Sequence, residues 1–307
     1  MISGNEIQSL VDLLLERNVL LYHACQLIDF ESYLALGGIP SRALLENRKL
    51  PFTPFETDTI DKENGVWDKV FGNLTEFGEI FANGRPWPPT VYGPIQLQLN
   101  PTVLLEVSDV AVSLRSAGAE GFNREVEGLT IDEIDRVFYY PRNVSFPRSI
   151  RVKSQSLLAE EFGKTKPQSP EISCSVPNQV LSAEYIIVAC VDPYVLNGQR
   201  LLDSVSNVVK NRQEFNFRII PRSCQEKSRV HLYSEIAECI REEIPSLYDL
   251  AKDSTLSSTL REYANQVLQN SEAVRQFNRY IKLIFLRSYC KAVIIKVLLV
   301  LLYENAL

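Results

Sequence analysis

Three residues stand where chemistry could be built. Glu184 heads a continuous apolar run in V-L-S-A-E-Y-I-I-V-A-C-V-D-P-Y-V-L-N-G. A carboxylate at the head of such a run is costly to bury unless it is paired or used. His23 lies in a second apolar run, L-L-Y-H-A-C, followed by L-A-L-G-G-I-P-S-R. Tyr92 precedes a Gly-Pro turn into the alternating run V-Y-G-P-I-Q-L-Q-L-N-P. Each also has a plain structural reading: a hydrogen-bonded histidine, a solvated strand-end glutamate, a packed aromatic at a strand start. Glu125 and Glu127, in N-R-E-V-E-G-L, form a rival carboxylate pair.

Other chemistries lack their residues. There is no G-x-x-x-x-G-K-[ST] and no G-x-G-x-x-G, so no standard phosphate loop is present. G-x-S-x-G is absent too, which removes the usual hydrolase elbow. Two histidines, His23 and His231, are too few for a His-rich metal site. Six cysteines are spaced with no C-x-x-C pair, so neither a zinc knuckle nor a thioredoxin motif is expected, and no metal is expected. Their thin spread does not resemble a disulfide framework and makes a reducing cytosol the natural compartment. The opening MISGNEIQSLVDLLLERN carries Asp12 and Glu16 and lacks the order of a signal peptide.

The chain has 307 residues, 45% hydrophobic and 23% charged, with 13 Gly and 16 Pro. Those values exclude collagen-like, low-complexity and disordered classes. The length suits one large domain or two modest ones. A net charge of -6 argues against a whole-surface polyanion binder but leaves room for a local basic groove.

The elements that must position these residues follow from periodicity. Ile7, Leu10, Val11, Leu14 and Leu15 predict a helix over 5–17. The run 19–25 reads as a strand, and 30–38 as a helix stopped by Gly37-Gly38. Residues 49–90 read as a long functional loop with one short helix. Strands are expected at 91–99, 103–107, 110–114, 135–140, 184–190 and 215–221, a polar loop at 164–179 and a helix at 201–213. From about 228 the pattern is helical only. Residues 226–307 hold 11 Lys/Arg and 10 Asp/Glu, leaving 21 of the 32 cations and 28 of the 38 anions to the rest. A boundary near 226 therefore divides an α+β body (1–225) from an all-helical extension (226–307).

Within that extension, 283–302 is long enough to span a bilayer, but Arg287, Lys291 and Lys296 interrupt it. Near the middle of a 20-mer each cation costs roughly 2.5–3.5 kcal/mol. A buried helix with a cationic edge is expected rather than stable membrane insertion; a surface-lying or partner-binding helix is the alternative. Arg275, Arg279 and Lys282 fall on one helix face, with Phe277, Tyr280, Phe285 and Tyr289 interleaved. Such a stripe could track phosphates, or be an ordinary solvated face.

Taken in order, the pieces resemble the DarT-type ADP-ribosyltransferases, toxin enzymes of the wider ADP-ribosyltransferase fold. The opening H…(I/L)-L-x-x-G-(L/G) is matched by His23, Leu34, Gly37 and Gly38. The central Y-x-P-(F/I)-x-(F/L) is matched by Tyr92, Pro94, Ile95 and Leu97. Q-A-E-x-L-I…P-x-x-x-x-G is matched by Ala183, Glu184, Ile186, Ile187, Pro193 and Gly198, with Ser182 where the family has Gln. The resemblance spans roughly 19–225 and leaves the extension outside. It implies a split mixed β-sheet core, NAD as substrate, and transfer of ADP-ribose to a nucleobase of single-stranded DNA or RNA. A toxin or antiviral-defence role is implied with it, and an antitoxin or chaperone on the helical extension is the partner weighed there.

The resemblance also distributes roles. Glu184 would hold the ribose and stabilise the oxocarbenium-like charge formed as nicotinamide leaves. His23 and Gly38 would line the NAD site, His23 bonding ribose or carboxamide, and Tyr92 would stack on nicotinamide. The family's loop Arg has no counterpart in 49–84; among Arg42, Arg48 and Arg85, Arg42 is taken for the pyrophosphate. Loop 49–90 would be a lid, with Trp67, Phe71, Phe77 and Trp87 either stacking on bases or packing the loop down. Two alternatives remain: the same fold modifying a protein side chain through Glu125 and Glu127, and a non-enzymatic protein that binds a partner through its C-terminal helix.

Overall fold

The computed structural model describes residues 1–53, 57–75, 95–139, 152–166, 169–191, 195–196, 199–210, 212, 215–221, 252 and 258–269. In chain order the elements are β1 (Ile2–Ser3), α1 (Asn5–Glu16), β2 (Leu21–Cys25), α2 (Leu27–Leu36), β3 (Gly38–Pro40), α3 (Arg42–Arg48), α4 (Asp58–Glu63), β4 (Val70–Asn73) and β5 (Ile95–Leu99). A 3₁₀ helix (Pro101–Glu106) follows, then β6 (Asp109–Ser113), α5 (Arg124–Glu127), α6 (Ile131–Asp135), α7 (Gln155–Glu161), β7 (Glu171–Ser175) and β8 (Val180–Ser182). A 3₁₀ turn (Ala183–Tyr185) leads into β9 (Ile186–Val191), β10 (Val195–Leu196), β11 (Gln199–Arg200), α8 (Leu201–Lys210), β12 (Arg218–Pro221) and α9 (Ser258–Gln269).

Local chemistry sets the helix ends. α1 buries Ile7, Leu10, Val11 and Leu14, one stripe at helical spacing. Each such burial is worth about 1.5–3 kcal/mol. At the start of α2 the Asp29 carboxylate accepts the Gln26 backbone N–H at 3.1 Å, and Gly37 ends the helix at φ 79°. Ser41 caps α3 by accepting the Leu44 N–H.

Eight strands form one mixed sheet in the order β1-β6-β7-β4-β2-β5-β9-β12. Its seam is uneven. β5 pairs with β2 over five positions, and β4 pairs with β7 over four. β4 and β2 meet at one pair alone, Tyr22 with Asn73. The sheet thus has two four-stranded halves, β1-β6-β7-β4 and β2-β5-β9-β12, joined in the ladder by a single paired position. Neighbours are antiparallel except β9 and β12, which run parallel through α8. A separate ribbon pairs β3 with β8, Gly38 opposite Ser182. The core runs along both halves, with Leu10, Leu14, Phe30, Ile95, Leu97, Val112 and Phe138 fully enclosed.

Several expected elements change. The run 103–107 is not a strand: Pro101 at the first position and the Asn100 cap wind it into a 3₁₀ helix. Of the strand expected at 135–140, the described residues 135–139 give one isolated bridge, Phe138 with Val152. The loop 49–90 contains a strand, β4, as well as α4; the polar stretch 164–179 contains β7. Pro170 stands just outside β7 and so leaves its ladder intact. The 226 boundary lies outside the described residues, as do 272–302. Among the described residues no helix is long and apolar enough to cross a membrane.

Candidate active site

The three sequence motifs are carried on adjacent strands. β5 lies between β2 and β9, and one line across the half-sheet joins His23, Leu97 and Ala189. The ribbon adds a second link: the Ala183 N–H donates to the Gly37 carbonyl at 2.9 Å. The Gly-Gly of the first motif and the Ala-Glu of the third are therefore in direct contact. Nothing larger than glycine fits at 38, because a Cβ there would lie 2.0 Å from the Leu181 carbonyl oxygen.

His23 occupies the point where the halves part. Its Nδ1 lies 2.7 Å from the Phe71 carbonyl of β4, and its Nε2 lies 3.1 Å from the Tyr33 hydroxyl of α2. A carbonyl only accepts, so Nδ1 carries the hydrogen. Burial holds the imidazole pKa below its ordinary value, with the Phe71 carbonyl opposing. The ring is therefore neutral, and Nε2 accepts from Tyr33. A side chain here ties the two halves where the backbone ladder stops.

Arg42 is at the first position of α3. One guanidinium nitrogen donates to the Thr53 carbonyl at 2.7 Å and stands 3.9 Å from the Asp29 carboxylate. The guanidinium also lies 5.0 Å from the centre of the Phe52 ring. Asp29 is enclosed and accepts the Thr53 N–H at 2.8 Å. Thus Asp29, Thr53 and Phe52 fix the arginine near His23.

Glu184 is not the first residue of the strand but the middle of the 3₁₀ turn before β9. It is exposed, its N–H donates to the Ser182 hydroxyl, and its carboxylate has no partner among the described residues. It stands two strands across from His23, about 10 Å at the usual strand spacing, and further toward the end of the sheet. The fold brings Gly38 to the turn of Glu184, and Arg42 to the surroundings of His23. It makes no direct contact between Glu184 and either His23 or Arg42. Tyr92, Arg85, Pro193, Gly198, Phe77 and Trp87 lie outside the described residues.

The rival pair lies elsewhere, and its Glu127 is already bound. Glu125 and Glu127 are on α5, against β6 in the other half, five strand spacings (about 24 Å) from β9. Glu127 is bound by Arg115 through Nε at 2.9 Å and Nη2 at 2.5 Å. Arg124 beside it is buried, bonded to the Ser173 hydroxyl and carbonyl and paired with Asp109 at 2.5 Å. The N-R-E-V-E segment pins α5 to the sheet.

Trp67 and Phe71 take the packing role. The Trp67 indole N–H donates to Glu46 at 2.9 Å and its ring meets Phe52 edge-on. Phe71 packs on Val66, Ala117 and Phe122. Tyr33 and Asp29 join the site without belonging to any of the three sequence motifs. Tyr33 reads as an ordinary core aromatic of α2; Asp29, three residues after Gln26, was legible as a capping partner.

One partly buried carboxyl near this seam has a shifted pKa. Glu171 of β7 accepts the Ala117 N–H at 2.8 Å and the Ser116 hydroxyl at 3.1 Å. Burial outweighs both and, with Asp61 adding repulsion, pushes its pKa up to about 7. A carboxyl raised on folding contributes stability below its unfolded pKa and loses it as pH rises through the folded value. Glu171→Gln keeps the Ala117 bond on its amide oxygen and can donate its amide N–H to the Ser116 oxygen, without the charge. Its stability relative to wild type is expected to rise from near zero at pH 4.5 to on the order of 3 kcal/mol at pH 8. Denaturant unfolding across that range checks it; a flat difference would contradict the titration.

Among the described residues no group of three or more His, Cys, Asp or Glu is arranged to hold a metal ion. No family model matches this sequence, and no curated protein matches it. Among solved structures it is similar to the DarT of Thermus sp. 2.9 in complex with ADP-ribosylated ssDNA: 12% identity, 66% of this chain, 93% of that one, TM-score 0.39. It is likewise similar to the Thermus sp. 2.9 DarT in complex with NAD+: 11% identity, 66% of this chain, 94% of that one, TM-score 0.37. This is a distant likeness of α+β folds and gives no correspondence of residues.

Proposed function

We propose that this chain is an NAD-dependent ADP-ribosyltransferase acting on a nucleobase of single-stranded DNA or RNA, a reaction suited to a toxin or defence effector. The observation that carries this reading is the meeting of the motifs: β2, β5 and β9 lie side by side, with the Gly37 carbonyl bonded to the turn of Glu184. The thin pairing of β2 with β4, at Tyr22 and Asn73, is consistent with a split sheet core of the kind this reading calls for.

In this reading nicotinamide leaves from an oxocarbenium-like centre, and the exposed Glu184 carboxylate stabilises that charge through the ribose hydroxyl. The carboxylate also accepts the proton of the attacking base nitrogen or oxygen. His23, neutral and fixed by Phe71, offers Nε2 to a ribose hydroxyl that would replace that of Tyr33. Arg42, fixed on Thr53 and Phe52, meets the pyrophosphate. Gly38 allows the close approach of β8 that carries the Glu184 turn beside the NAD site, and Tyr92 stacks on nicotinamide. The protein-modifying reading through Glu127 is disfavoured by the Arg115 pair, which already uses both carboxylate oxygens.

Incubation of the full chain with labelled NAD and a mixture of oligonucleotides and protein extract tests the target class. Label is expected in the nucleic acid, with mass spectrometry showing an added ADP-ribosyl group. Label confined to protein would replace the proposed target, and unconsumed NAD would leave the partner-binding reading in its place.

A further inference from the structure

The turn that carries Glu184 has a second support that none of the motifs contains. Tyr185, the next residue, is held twice by one short element. Its carbonyl accepts the N–H of Asn100 at 2.9 Å, immediately before the 3₁₀ helix Pro101–Glu106. Its hydroxyl donates to the carboxylate of Glu106, the last residue of that helix, at 2.7 Å. The helix is itself a firm base. Asn100 caps it by accepting the Thr102 N–H at 3.0 Å, Val103 and Leu104 are fully buried, and α1 packs against it.

We propose that the helix Pro101–Glu106 aims Glu184, with Glu106 and Tyr185 as positioning residues for its carboxylate; this rests on the reading of Glu184 as the charge-stabilising group. Glu184 is exposed and lacks a partner for its own carboxylate among the described residues, so its direction is set by its backbone. A 3₁₀ turn is only three residues long and has a single internal closure, the Ile186 N–H to the Ala183 carbonyl. Its geometry must come from outside. The ribbon fixes its start, through Ala183 and Gly37. The Asn100 and Glu106 contacts fix its end. Raised by the hydrogen bond to Glu106, the Tyr185 phenol stays protonated and remains the donor across the working pH range. Loss of the side-chain contact loosens one end of the turn, which the Asn100 bond still holds, while Glu106 is exposed and Tyr185 is only partly buried against the core.

Steady-state NAD consumption by the full chain separates the possibilities. Tyr185→Phe and Glu106→Ala are expected to lower kcat about tenfold each, equivalent to ~1.4 kcal/mol, with KM for NAD within about twofold of wild type. The double variant is expected to be no worse than either single one, since both remove the same bond. Glu106→Gln keeps an acceptor for the phenol and is expected to restore kcat to within about twofold. Thermal unfolding of each variant checks that the fold persists, and Glu106→Ala at an exposed site stands in should Tyr185→Phe not fold. Full kcat in Tyr185→Phe and Glu106→Ala, additive losses, or a Glu106→Gln as impaired as Glu106→Ala would overturn the proposal. An inactive Glu184→Gln beside a fully active Tyr185→Phe removes the positioning role alone. A fully active Glu184→Gln removes the reading of Glu184, and the positioning role with it.

Discussion

Glu184→Gln is expected to lower ADP-ribose transfer about a thousandfold, the scale of removing a group aimed at transition-state charge. Its unfolding free energy is expected to stay within about 0.5 kcal/mol of wild type, because an exposed side chain away from packed features contributes little to stability. The two readouts together are the test. Gln has the shape of Glu and can still bond a ribose hydroxyl, but it carries no negative charge to set against an oxocarbenium and accepts no proton. The carboxylate has no partner among the described residues, so no ion pair is broken by the change. Wild-type turnover in this variant would end the assignment. Lost turnover with a large drop in stability would mean that Glu184 holds the turn together instead.

Gly38→Ala is expected to have the second large effect, and on both readouts at once. The added methyl would lie 2.0 Å from the Leu181 oxygen and 2.9 Å from a Val180 methyl, both in the partner strand of the ribbon. Neither the backbone oxygen nor the paired strand can give way alone, so β3 and β8 must separate. Overpacking of this kind costs about 3 kcal/mol, the upper part of the usual range. For a chain of this size that is a fall of about 5 °C in unfolding midpoint. Separation of the ribbon also moves Ser182 and Ala183, and with them Glu184, so transfer falls with stability. Gly37→Ala is the instructive comparison. There the φ of 79° imposes a left-handed cost of about 1–2 kcal/mol, but nothing lies within 4 Å of the new methyl. Equal destabilisation by the two substitutions would show that backbone conformation, not the close approach of the strands, governs the segment.

Sequence patterns exposed some of this architecture and hid the rest for definable reasons. α1 was legible because its four buried residues keep a strict helical period and nothing competes with them. α2 was legible at its end, where Gly37 must take a left-handed turn. β4 was hidden because V-F-G-N has weak strand propensity; it is a strand through its pairing with β7, a tertiary cause no local window contains. β7 was hidden in a stretch flanked by Ser and Pro, though E-I-S-C-S is strand-like once its neighbours are known. Val103, Leu104 and Val107 looked like a strand by composition, yet Asn100-Pro101 is a helix-start signal, and it prevailed. For the candidate site, the sequence offered the types and order of His23, Gly38, Arg42 and Glu184 as candidates. It did not offer their anchoring. That His23 leans on Tyr33 and Phe71, Arg42 on Thr53, and Tyr185 on Glu106 depends on residues between 10 and 79 positions away along the chain.

The single pairing of Tyr22 with Asn73 bears on energetics beyond the chemistry. A continuous ladder spreads cooperativity across every strand; where the ladder narrows to one pair, the halves are coupled instead through the His23 bond and the hydrophobic core they share. Any molecule lodged along that seam and touching both halves would act as a rivet. Its affinity and the cohesion of the entire body would then be one thermodynamic quantity, so that occupancy by a dinucleotide would tighten strands it never meets.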